Sequence, residues 1–310
     1  MASNFKIFSG TASRYLAEEI AGCLDTRLGE VTITRFMDGE IEPSFSESIR
    51  GSNLFLVQST FGPSDNLMEL LLMIDAARRA SAKKIIVVLP YYGYARQDRK
   101  DKPRVSIGAK LVANLLTVAG ADRIITMDLH AGQIQGFFDI PLDHLFGTGV
   151  FFPYLRDLQL ENLCVAAPDA GGAKRAREFA TFLNADLVLI DKFRERANQV
   201  ASMKVIGDVK GKNVLIVDDL VDTAGTLCKA ADLLLSEGAN TVRAVVTHPV
   251  LSGPAYERIE DSGLTELITT NTIPLRRTSE KIRVLSIAPM LASAFQKILK
   301  HKSISSLYIS

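Results

Sequence analysis

The sequence predicts an α/β protein of two duplicated domains, each a mainly parallel sheet flanked by helices. Two observations carry that expectation. Short, β-branched apolar runs alternate with helical patterns along the whole chain, as βαβ units do. A strand–loop–helix–strand stretch in the first half also reappears in the second, each helix ending in a Gly-Ala pair.

In chain order, a short strand leads to Arg35, and 66–80 reads as an amphipathic helix. Strands are expected at 84–89, 123–127, 163–167, 187–190, 214–217 and 242–246, with a further helix at 227–237. Residues 113–121 (ANLLTVAGA) precede the strand at Ile124 and then His130. Residues 231–239 (ADLLLSEGA) precede the strand at Val242 and then His248, the equivalent place, with no role assigned. Gly120 and Gly238 suit the left-handed position that ends a helix. Convergent βαβ patterning explains part of this likeness, and the matched Gly-Ala pair and histidine favour an internal repeat. The boundary falls near 146–149, where two glycines interrupt the pattern, giving domains 1–146 and 147–289. The tail at 303–309 looks strand-like, and 290–310 is expected to return to the first domain.

Composition narrows the function. With 36 basic against 35 acidic residues the formal charge is +1, which disfavours a nucleic-acid scaffold. Three scattered cysteines without a CxxC pair read as buried, reduced thiols. The opening residues lack the apolar core of a signal peptide, and no apolar run approaches the ~20 residues that span a bilayer. A soluble, cytoplasmic protein is expected, with neither nucleic acid nor membrane as partner.

Residues 214–226 (VLIVDDLVDTAGT) are the most informative. An apolar strand ends in two carboxylates, a short loop follows, and a helix starts after Thr226. Ligands of open α/β sheets bind at the carboxyl ends of strands. From Asp222 to Thr226 the chain offers small residues, backbone N–H groups and two hydroxyls at a helix N-terminus, which attract a phosphate. The adjacent acids suit sugar hydroxyls or an indirectly held magnesium ion. An ordinary turn with Asp and Thr as N-caps is the plainer alternative.

This segment resembles the phosphoribosyl diphosphate binding motif of the phosphoribosyltransferase superfamily. Over essentially its full length, the chain resembles the ribose-phosphate pyrophosphokinase family. The resemblance implies two phosphoribosyltransferase-like domains and Mg2+ as cofactor. Its substrates would be ATP and ribose 5-phosphate. It also implies self-association into a homo-oligomer, a hexamer by family likeness.

Residue by residue, the resemblance implies that Asp218 and Asp222 hold ribose hydroxyls and that Thr223, Ala224, Gly225 and Thr226 hold the 5-phosphate. Phe36, Asp38, Gly39 and Glu40 match the family's adenine-contacting loop, which reaches a neighbouring subunit; alone, they read as a surface turn. Arg96 and Gln97 match ATP-binding positions. His130 and Asp169 match magnesium-associated residues, although a lone histidine is usually structural and magnesium prefers oxygen. Some relatives carry His where Ala170 stands. Lys192 and Arg194 match a Lys-x-Arg pair in a loop that closes over the reacting phosphates, with Arg194 also on ribose 5-phosphate; Phe193 replaces a basic residue found in many relatives. By composition alone, 191–198 is an exposed charged loop after a strand ending at Ile190. Ser48, Arg50, Ser303 and Ser305 match positions tied to regulation by phosphate and ADP. The adjoining 101–108 departs from the family pattern at Pro103 and Ser106.

The implied reaction moves the β,γ-diphosphoryl group of ATP to the 1-hydroxyl of ribose 5-phosphate, giving 5-phospho-α-D-ribose 1-diphosphate and AMP. Rival readings are a non-catalytic associated protein, a transferase acting on a base, and a regulator that binds the diphosphate product and nucleic acid. The intact Lys-x-Arg pair and metal motif disfavour the first. The Phe36–Glu40 and Arg96-Gln97 elements disfavour the second, and the neutral charge the third.

Overall fold

A strand that is apolar at every position must be covered on both faces, because successive side chains point to opposite sides. Val214, Leu215, Ile216 and Val217 form such a run, and all four are buried. The computed structural model describes residues 5–193 and 202–307, without the side chains of 192, 193, 202 and 306. Two compact units result: the described residues up to Phe146 join Ala288–Leu307, and Gly147–Ile287 form the other.

In the first unit the elements run β1 (Phe5–Ser9), α1 (Arg14–Cys23), β2 (Val31–Arg35), β3 (Ile41–Phe45), β4 (Asn53–Val57), α2 (Asp65–Arg79), β5 (Lys84–Leu89), α3 (Gly108–Ala119), β6 (Arg123–Met127) and β7 (Leu142–Leu145). The sheet order is β1-β4-β5-β6-β7, every pairing parallel, while β2 and β3 form a separate antiparallel hairpin. Leu70, Met73 and Ile74 of α2 and Val112 and Leu116 of α3 pack on Leu54, Leu56, Val87 and Leu89.

The second unit runs α4 (Thr148–Asp157), β8 (Leu163–Ala167), α5 (Ala173–Leu183), β9 (Asp186–Phe193), β10 (Ser202–Ile206), β11 (Asn213–Val221), α6 (Gly225–Ser236), β12 (Thr241–Pro249), α7 (Ala255–Asp261), β13 (Glu266–Thr270) and β14 (Ile282–Leu285). Its sheet order is β10-β9-β8-β11-β12-β13-β14, with only β10 antiparallel to its neighbour. Val214 and Ile216 face α6 and α7, and Leu215 and Val217 face Phe151, Phe152 and Phe179. The chain then returns to the first unit as α8 (Ala288–Leu299). There Phe295 is fully buried and stacks on Phe55 with centroids 4.0 Å apart.

The α/β class with parallel sheets is as expected, and β4-β5-β6-β7 repeats as β8-β11-β12-β13. Several local expectations need correction. Strand β11 runs through the acids to Val221, because its partner β12 continues alongside, Leu220 facing His248 and Val221 facing Pro249. Helix α6 begins at Gly225, ahead of Thr226. Asp191–Phe193 is strand rather than loop, since Lys192 pairs with Met203 of β10. The tail is a 3-10 turn at Ser305–Leu307, not a strand, and residues 308–310 lie outside the described residues. The two histidines are not equivalent: His130 is exposed beyond β6, whereas His248 lies within β12, 2% exposed, its Nδ1 3.0 Å from Thr272 Oγ1. Cys164 and Cys228 are buried, burial pushing the Cys164 thiol up to about 11, but Cys23 is exposed. No helix among the described residues is long and apolar enough to cross a membrane.

Truncating the Phe295 ring leaves an unfilled cavity against Phe55. Phe295→Ala is expected to destabilise the first unit by about 3–5 kcal/mol. Urea unfolding followed by circular dichroism and tyrosine fluorescence measures this, and a loss under ~1 kcal/mol contradicts the packing role.

Candidate active site

Three residues, Asp222, Thr223 and Ala224, connect β11 to α6. Such a tight connection forces the backbone to turn sharply, and Ala224 takes a left-handed conformation, φ 58°. An alanine at this N-cap offers no side-chain acceptor, so the first N–H groups of α6 keep their positive end for a ligand. Thr223 and Thr226 are exposed, while Ala224 is buried with Leu227 and Cys228 against Ala255, Tyr256 and Ile259 of α7. The turn is thus seated from below and open above.

Its carbonyls and acid are tied from the segment after β12. Ser252 N–H donates to the Asp222 carbonyl at 3.0 Å, and Ser252 Oγ donates to Asp222 Oδ1. Arg258 Nη1 donates to the Thr223 carbonyl at 2.9 Å.

Upstream, Asp218 and Asp219 continue the strand. Asp219 is 5% exposed, and its N–H donates to Asp218 Oδ1 at 2.9 Å. Arg175, on the first turn of α5, places Nη1 3.2 Å from Asp219 Oδ1 and 3.9 Å from Asp218 Oδ1. Loss of water and the Asp219 carboxylate raise the Asp218 pKa above the usual carboxylate range, and Arg175 opposes them. A third of the Asp218 side chain stays exposed, which moderates that rise.

Strand β8 lies directly beside β11, and Asp169 follows it. Asp169 is half-buried, and its Oδ1 accepts the Gly172 N–H at 3.0 Å, bracketing the entry to α5. Strand β9 lies one position further, and Lys192 stands near its end, beyond the last residue paired with β8. Arg194 lies outside the described residues, as does the side chain of Lys192. Among the described residues, no three His, Cys, Asp or Glu side chains converge as a metal cage.

The remaining candidates belong to the first unit. Phe36 to Glu40 form the tip of the β2–β3 hairpin, closed by Phe36 N–H to the Glu40 carbonyl at 2.9 Å and by Asp38 Oδ1 accepting the Glu40 N–H at 3.1 Å. Gly39 takes φ 96° there, and Phe36 and Met37 stand exposed. Arg96 and Gln97 lie between β5 and α3. That connection is anchored by Tyr92, whose hydroxyl donates to the Ala109 carbonyl at 2.7 Å, and by Gly93, where a Cβ would lie 2.0 Å from the Thr60 carbonyl oxygen. Both Arg96 and Gln97 are exposed, and Gln97 Oε1 accepts from Ser106 Oγ at 3.3 Å. His130 is exposed after Asp128, itself at φ 35°. Exposed Ser48 and Arg50 follow β3; Arg50 Nη1 donates to Ser81 Oγ at 3.1 Å. Ser303 and Ser305 are exposed in the tail, their hydroxyls in contact.

Sequence reasoning passed over Arg175, Ser252 and Arg258, and gave Asp219 no role of its own. The sequence signal for Arg175 was a basic residue in the first turn of the helix after a strand beside the acids. For Ser252 and Arg258 it was weaker, a Ser-Gly-Pro turn ahead of a short helix.

A family model described as the N-terminal domain of ribose phosphate pyrophosphokinase matches residues 5–120, and one described as the phosphoribosyl synthetase-associated domain matches 193–309. The ribose-phosphate pyrophosphokinase of Porphyromonas gingivalis is 57% identical over 307 residues, covering 99% of this chain and 98% of that protein. That of Helicobacter hepaticus is 56% identical, covering 98% of this chain and 99% of that protein. The crystal structure of phosphoribosylpyrophosphate synthetase from Mycobacterium smegmatis matches with a TM-score of 0.92 at 42% identity, covering 96% of this chain and all of that one.

The acid–guanidinium cluster makes an electrostatic prediction. Asp219→Asn removes a charge that raises the Asp218 pKa and should lower it; Arg175→Met removes the opposing charge and should raise it further. Carboxyl-carbon NMR titration of labelled aspartate reads both, and shifts of the same sign in the two variants would refute the arrangement.

Proposed function

The chain belongs to the ribose-phosphate pyrophosphokinase family, and from that membership we propose how its own residues carry the family's reaction. The enzyme transfers the β,γ-diphosphoryl group of ATP to the 1-hydroxyl of ribose 5-phosphate. The hydroxyl oxygen forms a bond to the β-phosphorus, the bond from that phosphorus to the α,β-bridging oxygen breaks, and AMP leaves. The hydroxyl proton is lost to solvent or a base. The observation that carries the reading is the Asp222–Ala224 turn: a short, seated bend at the carboxyl end of a central strand and the N-terminus of α6.

The 5-phosphate accepts hydrogen bonds from N–H groups at the start of α6 and from Thr223 and Thr226. Asp218 and Asp222 accept from the ribose hydroxyls. Arg175 offsets the charge that these acids and Asp219 bring together. Phe36, Asp38, Gly39 and Glu40, with Arg96 and Gln97, contact ATP: an aromatic ring stacks on a base, and a guanidinium clamps phosphate oxygens.

Magnesium suits the donors present. It needs few protein ligands when substrate phosphates supply the rest, and the half-buried Asp169 carboxylate provides oxygen. His130 is the weaker candidate, being exposed and offering nitrogen to an oxygen-seeking ion. When bound with ATP, the ion supplies charge neutralisation on the phosphates. Lys192 and Arg194 add positive charge where negative charge grows on the non-bridging oxygens.

Self-association is part of this reading. Leu111, Leu115 and Val118 lie at i, i+4 and i+7 on α3 and are exposed, Val118 by 79%, which leaves an apolar stripe for a second copy to cover. We also propose that Ser48, Arg50, Ser303 and Ser305 respond to phosphate and ADP, and an activity unmoved by either ligand excludes this. The protein acts in the cytoplasm.

Release of AMP that depends on ribose 5-phosphate, in the presence of ATP and Mg2+, tests the reading directly. Lys192→Ala should lower kcat by about a hundred- to thousand-fold, with little change in affinity for ribose 5-phosphate. Normal turnover by that variant removes Lys192 from the mechanism. Leu111→Glu with Val118→Glu should reduce the assembled mass in sedimentation analysis, and an unaltered mass assigns the stripe no part in assembly.

A further inference from the structure

We infer that Ser252 and Arg258 are positioning residues for ribose 5-phosphate, holding the phosphate turn and the Asp222 carboxylate from behind. This rests on the sugar-phosphate reading of the Asp222–Ala224 turn.

Both residues belong to one short segment after β12, and that segment docks on the turn along its length. Leu251 N–H donates to the Val221 carbonyl at 3.1 Å, and Ser252 N–H to the Asp222 carbonyl at 3.0 Å. The chain therefore runs beside the turn as a third layer of backbone bonding. Leu251, Ala255, Tyr256 and Ile259 bury their side chains in the same apolar cluster as Val221, Ala224 and Leu227. Lys281 Nζ donates to the carbonyls of Ile259, Glu260 and Ser262 at 2.7–3.3 Å, fixing the far end of α7. The brace is thus tied at both ends.

Each brace residue acts on a different part of the sugar phosphate site. Ser252 Oγ donates into Asp222 Oδ1, which sets the plane of the carboxylate that accepts from ribose hydroxyls. Arg258 takes up the Thr223 carbonyl at 2.9 Å, and its Nη1 lies 3.1 Å from where a Gly225 Cβ would stand. A carbonyl engaged from behind cannot turn toward the phosphate, where its negative end would repel the oxygens. The guanidinium also brings positive charge beside the turn, and it stays exposed enough to do so without a burial penalty. Gly225 leaves the space through which the guanidinium reaches the loop.

Neither side chain makes a bond that changes along the reaction, so their loss should weaken sugar binding uniformly and spare the chemical step. Ser252→Ala and Arg258→Met should each raise KM for ribose 5-phosphate by about tenfold or more, as loss of a hydrogen bond to a charged group or a fixed dipole does. KM for ATP and kcat at saturating sugar should stay within about threefold. Ser252→Thr should restore sugar affinity, and Arg258→Lys should restore it in part by keeping the charge without the planar fork. Calorimetric titration of ribose 5-phosphate in the presence of Mg2+ gives the same comparison without turnover.

A parallel rise in both KM values, or a Ser252→Thr enzyme no better than Ser252→Ala, makes the segment merely structural and overturns the inference. So does an unchanged sugar KM in both deletions while the unmodified enzyme is active. If Ser252→Ala does not fold, the two Arg258 variants decide alone. An unmodified enzyme that releases no AMP sinks the underlying sugar-phosphate reading instead.

Discussion

Three carboxylates crowd the end of one strand, and that crowding governs the second unit. Asp218 and Asp219 repel one another, and the Arg175 guanidinium offsets part of that repulsion. Arg175 reaches both acids, nearer to Asp219 than to Asp218. Burial and the Asp219 charge outweigh it, so the Asp218 pKa stays raised. Such a cluster holds its geometry only on a strand that cannot shift. Strand β11, clamped between β8 and β12 and covered on both faces, meets that need.

Much of this was legible in the residues. Continuous apolar runs marked β5, β6, β8 and the start of β11 because central parallel strands are covered on both sides. The ends were harder. Asp218 to Val221 looks like loop by composition, yet it is strand, because pairing with β12 outweighs the polarity of two acids. Asp191–Phe193 misled in the same way, since β9 runs on past the end of β8 and keeps its backbone bonds through β10. The site's chemistry was visible as a motif, but Arg175 and Ser252 depend on contacts between segments far apart in sequence. A sequence carries no direct trace of those.

The two sheets share a strand order while their ligand-facing connections have diverged. Between β11 and α6 only three residues intervene, which compels a tight bend. The matching connection between β5 and α3 spans 90–107 and is pinned at its base by Tyr92 and by the press of Gly93 on Thr60. A short connection leaves a tight bend at the start of α6. A long one leaves side chains such as Arg96 and Gln97 exposed. One strand order thus carries two connections of different length.

The return of α8 to the first unit has a consequence for biosynthesis. Phe55 emerges from the ribosome well before its stacking partner Phe295, with the whole second unit made between them. At about 5–20 residues per second, the Phe55 ring waits on the order of tens of seconds for its partner. The second unit, contiguous in the chain, can close first. The amino-terminal core is therefore completed only after the whole of the second unit has been made.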